Sequence, residues 1–548
     1  MLAAILAIGG GGAAAAAWGM SQGRRWARWS AALGCVALLV VLVLALAMDA
    51  PPITGDTVVS TDGWFRGAVV PTGFLRLAVA LWALDAVLVI GIAWLMGGAA
   101  ALRGLLPATL AALAGGVVAL GATDLTLGVA VAGATGLVSL AVLHAMGRTE
   151  DVAVGARELR VVVGAALLLF VGIAVAPVAA GLELAASASS IDGTPSAGEA
   201  GAVLGFVALA ITAGVAARFG SIPFHFRIPR LTDSVPPIAN PLLLVWLPLP
   251  VAIVGLAALD ALVGPLALPL NGEQSLIVAV ALVTMAAAAF AAFMAQDIRH
   301  AVGYLVIADG GLVLLGFAAL DPEAWGPTRI WLVAIAASKT ALTAWGAVAE
   351  GRFETRSIPD LRGWARHAPI LAAGFVLMVV ATYGIPGWLV LSARLDLASL
   401  VAGGLWAVPL TVGSLLTLPV YLRLFLIGLG PRSSQVSRAV TERRPQFRLS
   451  GAMDAGRTPA PAADEPADAG DGSSRPGRAS RSGPGEALRL LPVITRAVIT
   501  AVRRDSTELI SAAVLALAVL ATLTAWGALD LGSAAREPAP ITSGPATD

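Results

Sequence analysis

The run WLVAIAASKTALTAWGAV, Trp331 to Val348, decides how this chain is read. It is long and apolar enough to cross a bilayer as a helix, and it carries a single charge, Lys339, near its middle. That cation stands alone in its type: of 35 basic side chains, every one except Lys339 is Arg. A guanidinium holds its proton at any attainable pH, whereas a buried ammonium gives its proton up readily, so Lys is the basic side chain that exchanges. A charge at a helix centre costs about 2.5–3.5 kcal/mol on insertion scales, which makes an ionisable group there a functional candidate. The competing reading is that arginine-rich coding removed the other lysines and Lys339 only pairs with a buried acid.

The rest of the composition agrees with a membrane setting. The chain is 58% apolar and 13% charged, its mean hydropathy is +0.86, and this excludes an ordinary soluble domain of 548 residues. Sixty-one Gly and abundant Ala suit close helix packing in lipid, and period-2 alternation of the barrel kind is missing. The fold class is therefore an all-α polytopic membrane protein. The single Cys, Cys35, forms no internal disulfide and no thiol metal site, so no metal and no cofactor is expected on this chain.

Apolar runs long enough to span occur at Leu2–Met20, Ala31–Met48, Leu75–Met96, Leu105–Leu120, Leu125–Ala145, Leu159–Ala180, Gly201–Arg218 and Ile238–Leu262. They continue at Leu276–Met294, Val302–Leu320, Trp331–Val348, Pro369–Leu391 with an extension, Leu405–Leu429 and Leu509–Leu531, about fourteen helices in all. The first run lacks the basic start of a signal peptide and reads as a retained helix. Arginines cluster in alternate loops, at Arg24, Arg25 and Arg28, at Arg103, at Arg148, Arg157 and Arg160, at Arg227 and Arg230, at Arg299, and at Arg352 to Arg366. The positive-inside rule puts those loops in the cytoplasm and both termini outside. Residues 431–485 are rich in Arg, Ser, Pro, Gly, Ala and Asp and read as a disordered cytoplasmic linker. In residues 486–548 an amphipathic helix, Leu488 to Glu508, is expected to lie on the anionic leaflet or along the bundle, ahead of the last span.

Two spans are interrupted by proline in polar company, Arg218 to His225 around Pro223 and Tyr383 to Gly387 around Pro386. Proline and glycine there break the helix, and broken helices at membrane depth free backbone groups that mark ion or substrate paths. Near the breaks lie Arg218, His225, Asp309, Lys339 and Arg394, which together suggest a buried ionic chain. Asp309 falls mid-span beside Gly310 and Gly311, needs a partner, and finds Lys339 on the next span. Arg218 has the option of snorkelling to the cytoplasmic interface, and His225 and His300 read equally as surface histidines. No phosphate-cradling loop, dinucleotide fingerprint or metal spacing appears, and the basic residues follow topology, so soluble-type catalysis and nucleic-acid binding have no support.

These segments resemble the antiporter-like membrane subunits of respiratory complex I (proton-pumping NADH:quinone oxidoreductase), Mrp cation/proton antiporters and membrane-bound hydrogenases. RFGSIPFHFRIP, Arg218–Pro229, is similar to KxGxxPFHxWxP, with Arg218 at the conduction lysine. QDIRHAVGYLVIADGG, Gln296–Gly311, is similar to KDIKRxxAYSSISHMG, with Asp309 at the usual histidine. Ser338 to Leu342 resembles HxxxKALLF, and Gly384 to Arg394 resembles GLPPxxGFxxK. The resemblance implies N-terminal helices over 1–104, two inverted five-helix repeats, 105–262 and 275–430, and a hydrated axis that relays protons through Lys339, Asp309, Arg218, Arg394 and His225. It implies partners, namely other membrane subunits that carry the redox centres, in a cell inner (cytoplasmic) membrane. Two departures stand out. The family's fifth helix carries a glutamate that pairs with the first-break lysine, yet Leu125–Ala145 holds no carboxylate, and Pro248 falls where the eighth helix carries a lysine or histidine. Three functions remain open: a subunit of a proton or cation translocating complex, a non-conducting structural subunit or membrane partner of a soluble enzyme, and an independent cation/proton antiporter.

Overall fold

A computed structural model of the chain describes residues 1–22, 24–48, 68–97, 101–146, 152–188, 197–262, 270–401, 407–431 and 485–537. Helices account for nearly all of them: α1 (Leu2–Ser21), α2 (Arg24–Leu46), α3 (Gly73–Gly97), α4 (Leu105–Gly121), α5 (Leu125–Gly136), α6 (Val138–Met146), α7 (Val152–Ala188), α8 (Ala197–Phe219), α9 (Arg227–Ser234) and α10 (Pro248–Leu262). They continue with α11 (Asn271–Met294), α12 (Ile298–Ala318), α13 (Trp325–Phe353), α14 (Trp364–His367), α15 (Pro369–Tyr383), α16 (Leu389–Val401), α17 (Ala407–Leu415), α18 (Leu418–Leu429), α19 (Gly485–Trp526) and α20 (Leu531–Arg536). Twelve segments are long and apolar enough to cross a membrane, and α4 and α15 are shorter apolar helices. The protein is an all-α, multi-pass membrane protein.

Burial sorts the helices into an inner and an outer set. Every residue of the apolar windows of Pro237–Leu262 and of Pro322–Phe353, which contains α13, is buried, and 94% of the α12 window is. Outer spans such as α1 and α7 bury under a third of theirs and leave Leu159, Leu167 and Val178 outward, as lipid-facing surfaces do. Lys339 and Asp309 therefore sit on the two most enclosed helices that carry them. Five crossings run from α4 to α10 and five from α11 to α18, and the interrupted one is the fourth in each group.

Both interruptions follow from backbone chemistry. α8 ends where Gly220 turns to a φ of +67°, followed by Pro223, a 3-10 turn over Phe224–Phe226 and α9. α15 ends at Gly384, φ +74°, and α16 starts after Pro386 and Gly387, so the run Pro369–Leu391 comprises two helices that meet at the proline interruption. A third irregularity is the π-helical turn Pro241–Trp246, after which Pro248 opens α10. Leu125–Ala145 and Leu405–Leu429, expected as single helices, are each jointed, at Leu137 and at Leu416–Thr417. The amphipathic helix expected over Leu488–Glu508 runs without a break into the last crossing as α19, which stops at Gly527, φ +92°. The linker expected over 431–485 falls, but for its two end residues, outside the described residues.

The C-terminal end straps the bundle together. The Glu537 carboxylate accepts from the amides of Gly73, at 2.8 Å, and Phe74 at the start of α3, where orphan donors and the helix dipole favour an anion. Its backbone carbonyl accepts from Arg329 Nη1 at 2.6 Å and from Trp325 Nε1 at 2.9 Å on α13, and Arg329 also reaches the Ala535 carbonyl. The guanidinium is buried over the Phe74 ring, 3.7 Å from its centroid, so the strap supplies nearly all of its hydrogen bonding. Glu537→Ala is expected to destabilise the protein by about 1–2 kcal/mol through the lost cap, and truncation before Leu531 by more, because Arg329 then lacks its acceptors; thermal unfolding in mild detergent reads both.

Candidate functional site

The centre of the site is an ion pair between two inner helices. Lys339 Nζ lies 2.6 Å from Asp309 Oδ2, and both side chains are at most 3% exposed. Glycines beside Asp309 let α12 sit close to α11 and to the end of α8. A Cβ at Gly311 would lie 2.9 Å from the Ala281 carbonyl of α11, and one at Gly310 would lie 3.0 Å from Phe219 Cβ at the end of α8. The same ammonium donates to Tyr421 Oη on α18 at 2.6 Å. Tyr421 stands edge-on to Tyr383, whose hydroxyl shares a 2.6 Å hydrogen bond with Thr417. Lysine, carboxylate and phenol thus form one buried cluster with exchangeable protons on every member.

Arg394 borders this cluster. Its Nη2 donates to the Thr382 carbonyl at 2.7 Å, and its guanidinium lies 4.6 Å above the Trp331 ring and 5.3 Å from that of Tyr383. The partner explains the position, since the helical donor for Thr382 would be residue 386, a proline without an N–H. Pro386 opens the carbonyl and Arg394 fills it. Two of its nitrogens, Nε and Nη1, have no hydrogen-bond partner.

Arg218 belongs to a second cluster. It is fully buried rather than snorkelling, and it contacts Glu158 of α7 at 3.4 Å. Arg227 at the start of α9 grips the same carboxylate with Nε to Oε2 at 2.6 Å and Nη2 to Oε1 at 2.7 Å, and Ser139 donates to it at 3.1 Å. Arg227 also donates to the Arg218 carbonyl, freed because the Ile222 amide turns away to Thr284. The glutamate that the resemblance places on the fifth helix is therefore supplied from the next one. No sequence signal at Leu125–Ala145 could have revealed it; the spacing Glu158 to Arg160 in a loop-adjacent stretch hid a buried carboxylate among surface charges. The correction matters, because Arg218 has a partner.

Of the residues singled out from sequence, the structure brings together Lys339 and Asp309 with Arg394 alongside, and keeps Arg218 apart with Glu158. The first break joins the two clusters sterically, since Phe219 and Ser221 abut Gly310 next to Asp309. His225 lies in the 3-10 turn against Phe226, its Nδ1 buried without a hydrogen-bond partner and bonded to none of the other four. His300 pairs with Asp233 at 2.9 Å. Reasoning from sequence missed Glu158, Tyr421, and the Arg299–Glu350 pair, bidentate at 2.6 and 2.7 Å, that locks α12 to α13. Among the described residues no group of His, Cys, Asp and Glu is arranged to hold a metal ion.

The family described as NADH:quinone oxidoreductase/Mrp antiporter, TM matches residues 122–417, more than half of the chain. The chain belongs to this family. Within the oxidoreductase/Mrp antiporter family it is 28% identical over 207 residues to NADH-quinone oxidoreductase subunit N of Nitrosomonas europaea, covering 37% of this chain and 42% of that protein. Subunit N of Mycobacteroides abscessus is 28% identical over 222 residues, 37% of this chain and 39% of that protein. The chain thus spans about two fifths of the length of these curated relatives. Its fold matches a chain of the Mrp complex from Dietzia sp., with a TM-score of 0.60, 19% identity and coverage of 98% of this chain and 96% of that one. It also matches a chain of an archaeal membrane-bound sulfane sulfur reductase, with a TM-score of 0.62, 16% identity and coverage of 82% and 96%.

Glu158 carries the charge balance of the first cluster, so Glu158→Gln leaves two buried guanidiniums facing each other. The expected loss is about 3–5 kcal/mol, read as a lower unfolding temperature in detergent, and adding Arg218→Met to that variant is expected to restore part of it.

Proposed function

We propose that the chain is a membrane subunit of a proton or cation translocating respiratory complex, of the NADH:quinone oxidoreductase type, in which Lys339 and Asp309 exchange protons. The observation that carries this reading is the enclosed 2.6 Å Lys339–Asp309 pair with Tyr421 on the same ammonium. A buried pair stabilises its charges only while both partners are ionised, so moving one charge nearby shifts the proton affinity of the whole pair. Arg394 and Arg218 keep their protons and serve as fixed charges that set the local field. In the first half, two guanidiniums are paired to the Glu158 carboxylate, so proton exchange is assigned to the second half alone.

In this reading residues 105–262 and 275–430 are inverted repeats of one ancestral five-helix unit, the odd number producing the inversion. The redox centres and any cofactor belong to partner chains, the partners are other membrane subunits, and the chain lies in the bacterial inner membrane with both termini outside. Subunit N relatives and fold neighbours in multi-subunit membrane complexes support the assembly. The Arg218–Glu158–Arg227 clamp favours a second reading, a subunit retained for architecture that conducts nothing.

Lys339 separates the two. In inverted membrane vesicles carrying the assembled complex, Lys339→Met is expected to lower donor-driven proton uptake roughly 10²-fold, and Lys339→Arg, which keeps the charge but not the exchangeable proton, by a similar factor. Subunit stoichiometry in the purified complex is expected to stay unchanged. Uptake at the parental rate in both variants would assign the chain to the non-conducting reading.

A further inference from the structure

α3 lies outside both five-crossing groups, and halfway along it Asp85 is completely buried. Neither of its oxygens has a hydrogen-bond partner, and no Lys, Arg or His pairs with it among the described residues. The polar group that faces it is the Thr340 hydroxyl of α13. That hydroxyl is already committed: it donates to the Ala336 carbonyl at 2.6 Å and accepts from Trp246 Nε1 at 3.0 Å. Trp246, in the π-helical turn, stacks on Trp82 one turn ahead of Asp85, with ring centroids 4.9 Å apart and planes 15° from parallel. A hydroxyl has one proton and two lone pairs. With the proton given to Ala336 and one lone pair taken by Trp246, Thr340 has only an acceptor position left for Asp85, and only a carboxylic acid has a proton to place there. An ionised carboxylate in this setting would have no cation beside it among the described residues and no donor short of taking the Thr340 proton from Ala336, a cost that proteins avoid by binding the proton.

We infer that Asp85 is a second proton-binding site of this chain, a neutral carboxylic acid at mid-membrane whose proton occupancy is coupled to the charge on Lys339 through α13. Thr340 is the residue after Lys339, so successive positions of one helix serve two proton-bearing groups: Lys339 toward Asp309 and Tyr421, Thr340 toward Asp85 and Trp246. While Lys339 and Asp309 are both ionised their charges cancel, and nothing stabilises an Asp85 anion. When Asp309 takes up a proton, the Lys339 ammonium is left uncompensated, and loss of a proton from Asp85 restores neutrality. In that step the Asp85 O–H bond breaks, the electron pair remains on the carboxylate, the proton passes to water, and the Thr340 hydroxyl turns from Ala336 to donate to the new anion. The coupling rests on the exchange role proposed for Lys339; the neutral acid does not.

The test uses the full chain in its native complex and infrared difference spectroscopy between H2O and D2O. At neutral pH the carbonyl stretch of a protonated carboxyl is expected in the wild type and is expected to vanish in the near-isosteric Asp85→Asn, with Asp85→Glu restoring a displaced band, whereas Asp309→Asn, which leaves the Lys339 ammonium uncompensated, is expected to lower the pH at which the band fades. With Lys339→Met, the pH at which the Asp85 band fades is expected to rise by about one unit, a tenfold change in proton affinity. A wild-type spectrum from which Asp85→Asn removes no such band overturns the inference, whatever Lys339→Met does to translocation. A band that fades at the same pH with and without the Lys339 ammonium overturns the coupling. Parental translocation in Lys339→Met alongside an intact Asp85 band overturns the exchange reading of Lys339 instead, so the two failures are distinguishable.

Discussion

Charge neutralisation inside a bundle of mostly apolar, buried side chains is the constraint on which the rest of this structure depends. Each buried cation has a specific local answer. Lys339 has Asp309, Arg218 and Arg227 share Glu158, and Arg299 has Glu350. Arg394 and Arg329 lack a carboxylate and use backbone carbonyls, which a regular helix does not offer. Those carbonyls exist only where helices end, at Thr382 ahead of Pro386 and at Ala535 and Glu537 in the C-terminal strap. The helix breaks and the strap are therefore part of the electrostatics, because they supply acceptors at depths where water is scarce.

The chemistry of the cations then divides the molecule. A guanidinium pinned to a carboxylate or a carbonyl has a constant charge, and five of the six buried basic groups just named are of that kind. Lys339 differs in two ways, its proton can leave and its partners, Asp309 and Tyr421, can each carry one. A relay needs members whose charge changes, and among the described residues of the two crossing groups the second half has them in contact. The first half has the same broken geometry with its charges locked, which turns it into a fixed positive and negative landmark beside the Lys339–Asp309 pair.

Much of this was legible in the sequence because lipid punishes irregularity so strongly. Runs of apolar residues had to be helices, Pro223 and Pro386 had to interrupt them, and a lone Lys facing an Asp one span away had to find it. What stayed hidden were contacts set by tertiary packing. Glu158 lies beside Arg157 and Arg160 and reads as one more loop charge, yet α7 extends far enough to bury it beneath Arg227. Tyr421 lies in an ordinary amphipathic pattern, with nothing local to say that its hydroxyl meets Lys339 across the bundle. The joint between α15 and α16 was visible as Gly384-Ile-Pro386, whereas the union of the basic stretch after Leu488 with the final crossing was not, since helical periodicity continues unbroken through both.

The enclosed helix α13 explains why the site is where it is. A helix surrounded on all sides presents successive residues to different neighbours about 100° apart, which follows from 3.6 residues per turn. Ser338, Lys339 and Thr340 thus reach separate environments from one stretch of backbone, and any displacement of that stretch is felt by all of them together. Arg329 at one end of α13 is fastened by the C-terminal strap, and Glu350 near the other is fastened to α12 by Arg299. With both ends held, motion along α13 is costly, so under the proposed exchange role a charge change at Lys339 is expected to be transmitted by rearranging protons and hydroxyls rather than by sliding the helix. That is the arrangement expected where the cargo is a proton, which needs no opening wider than a hydrogen bond.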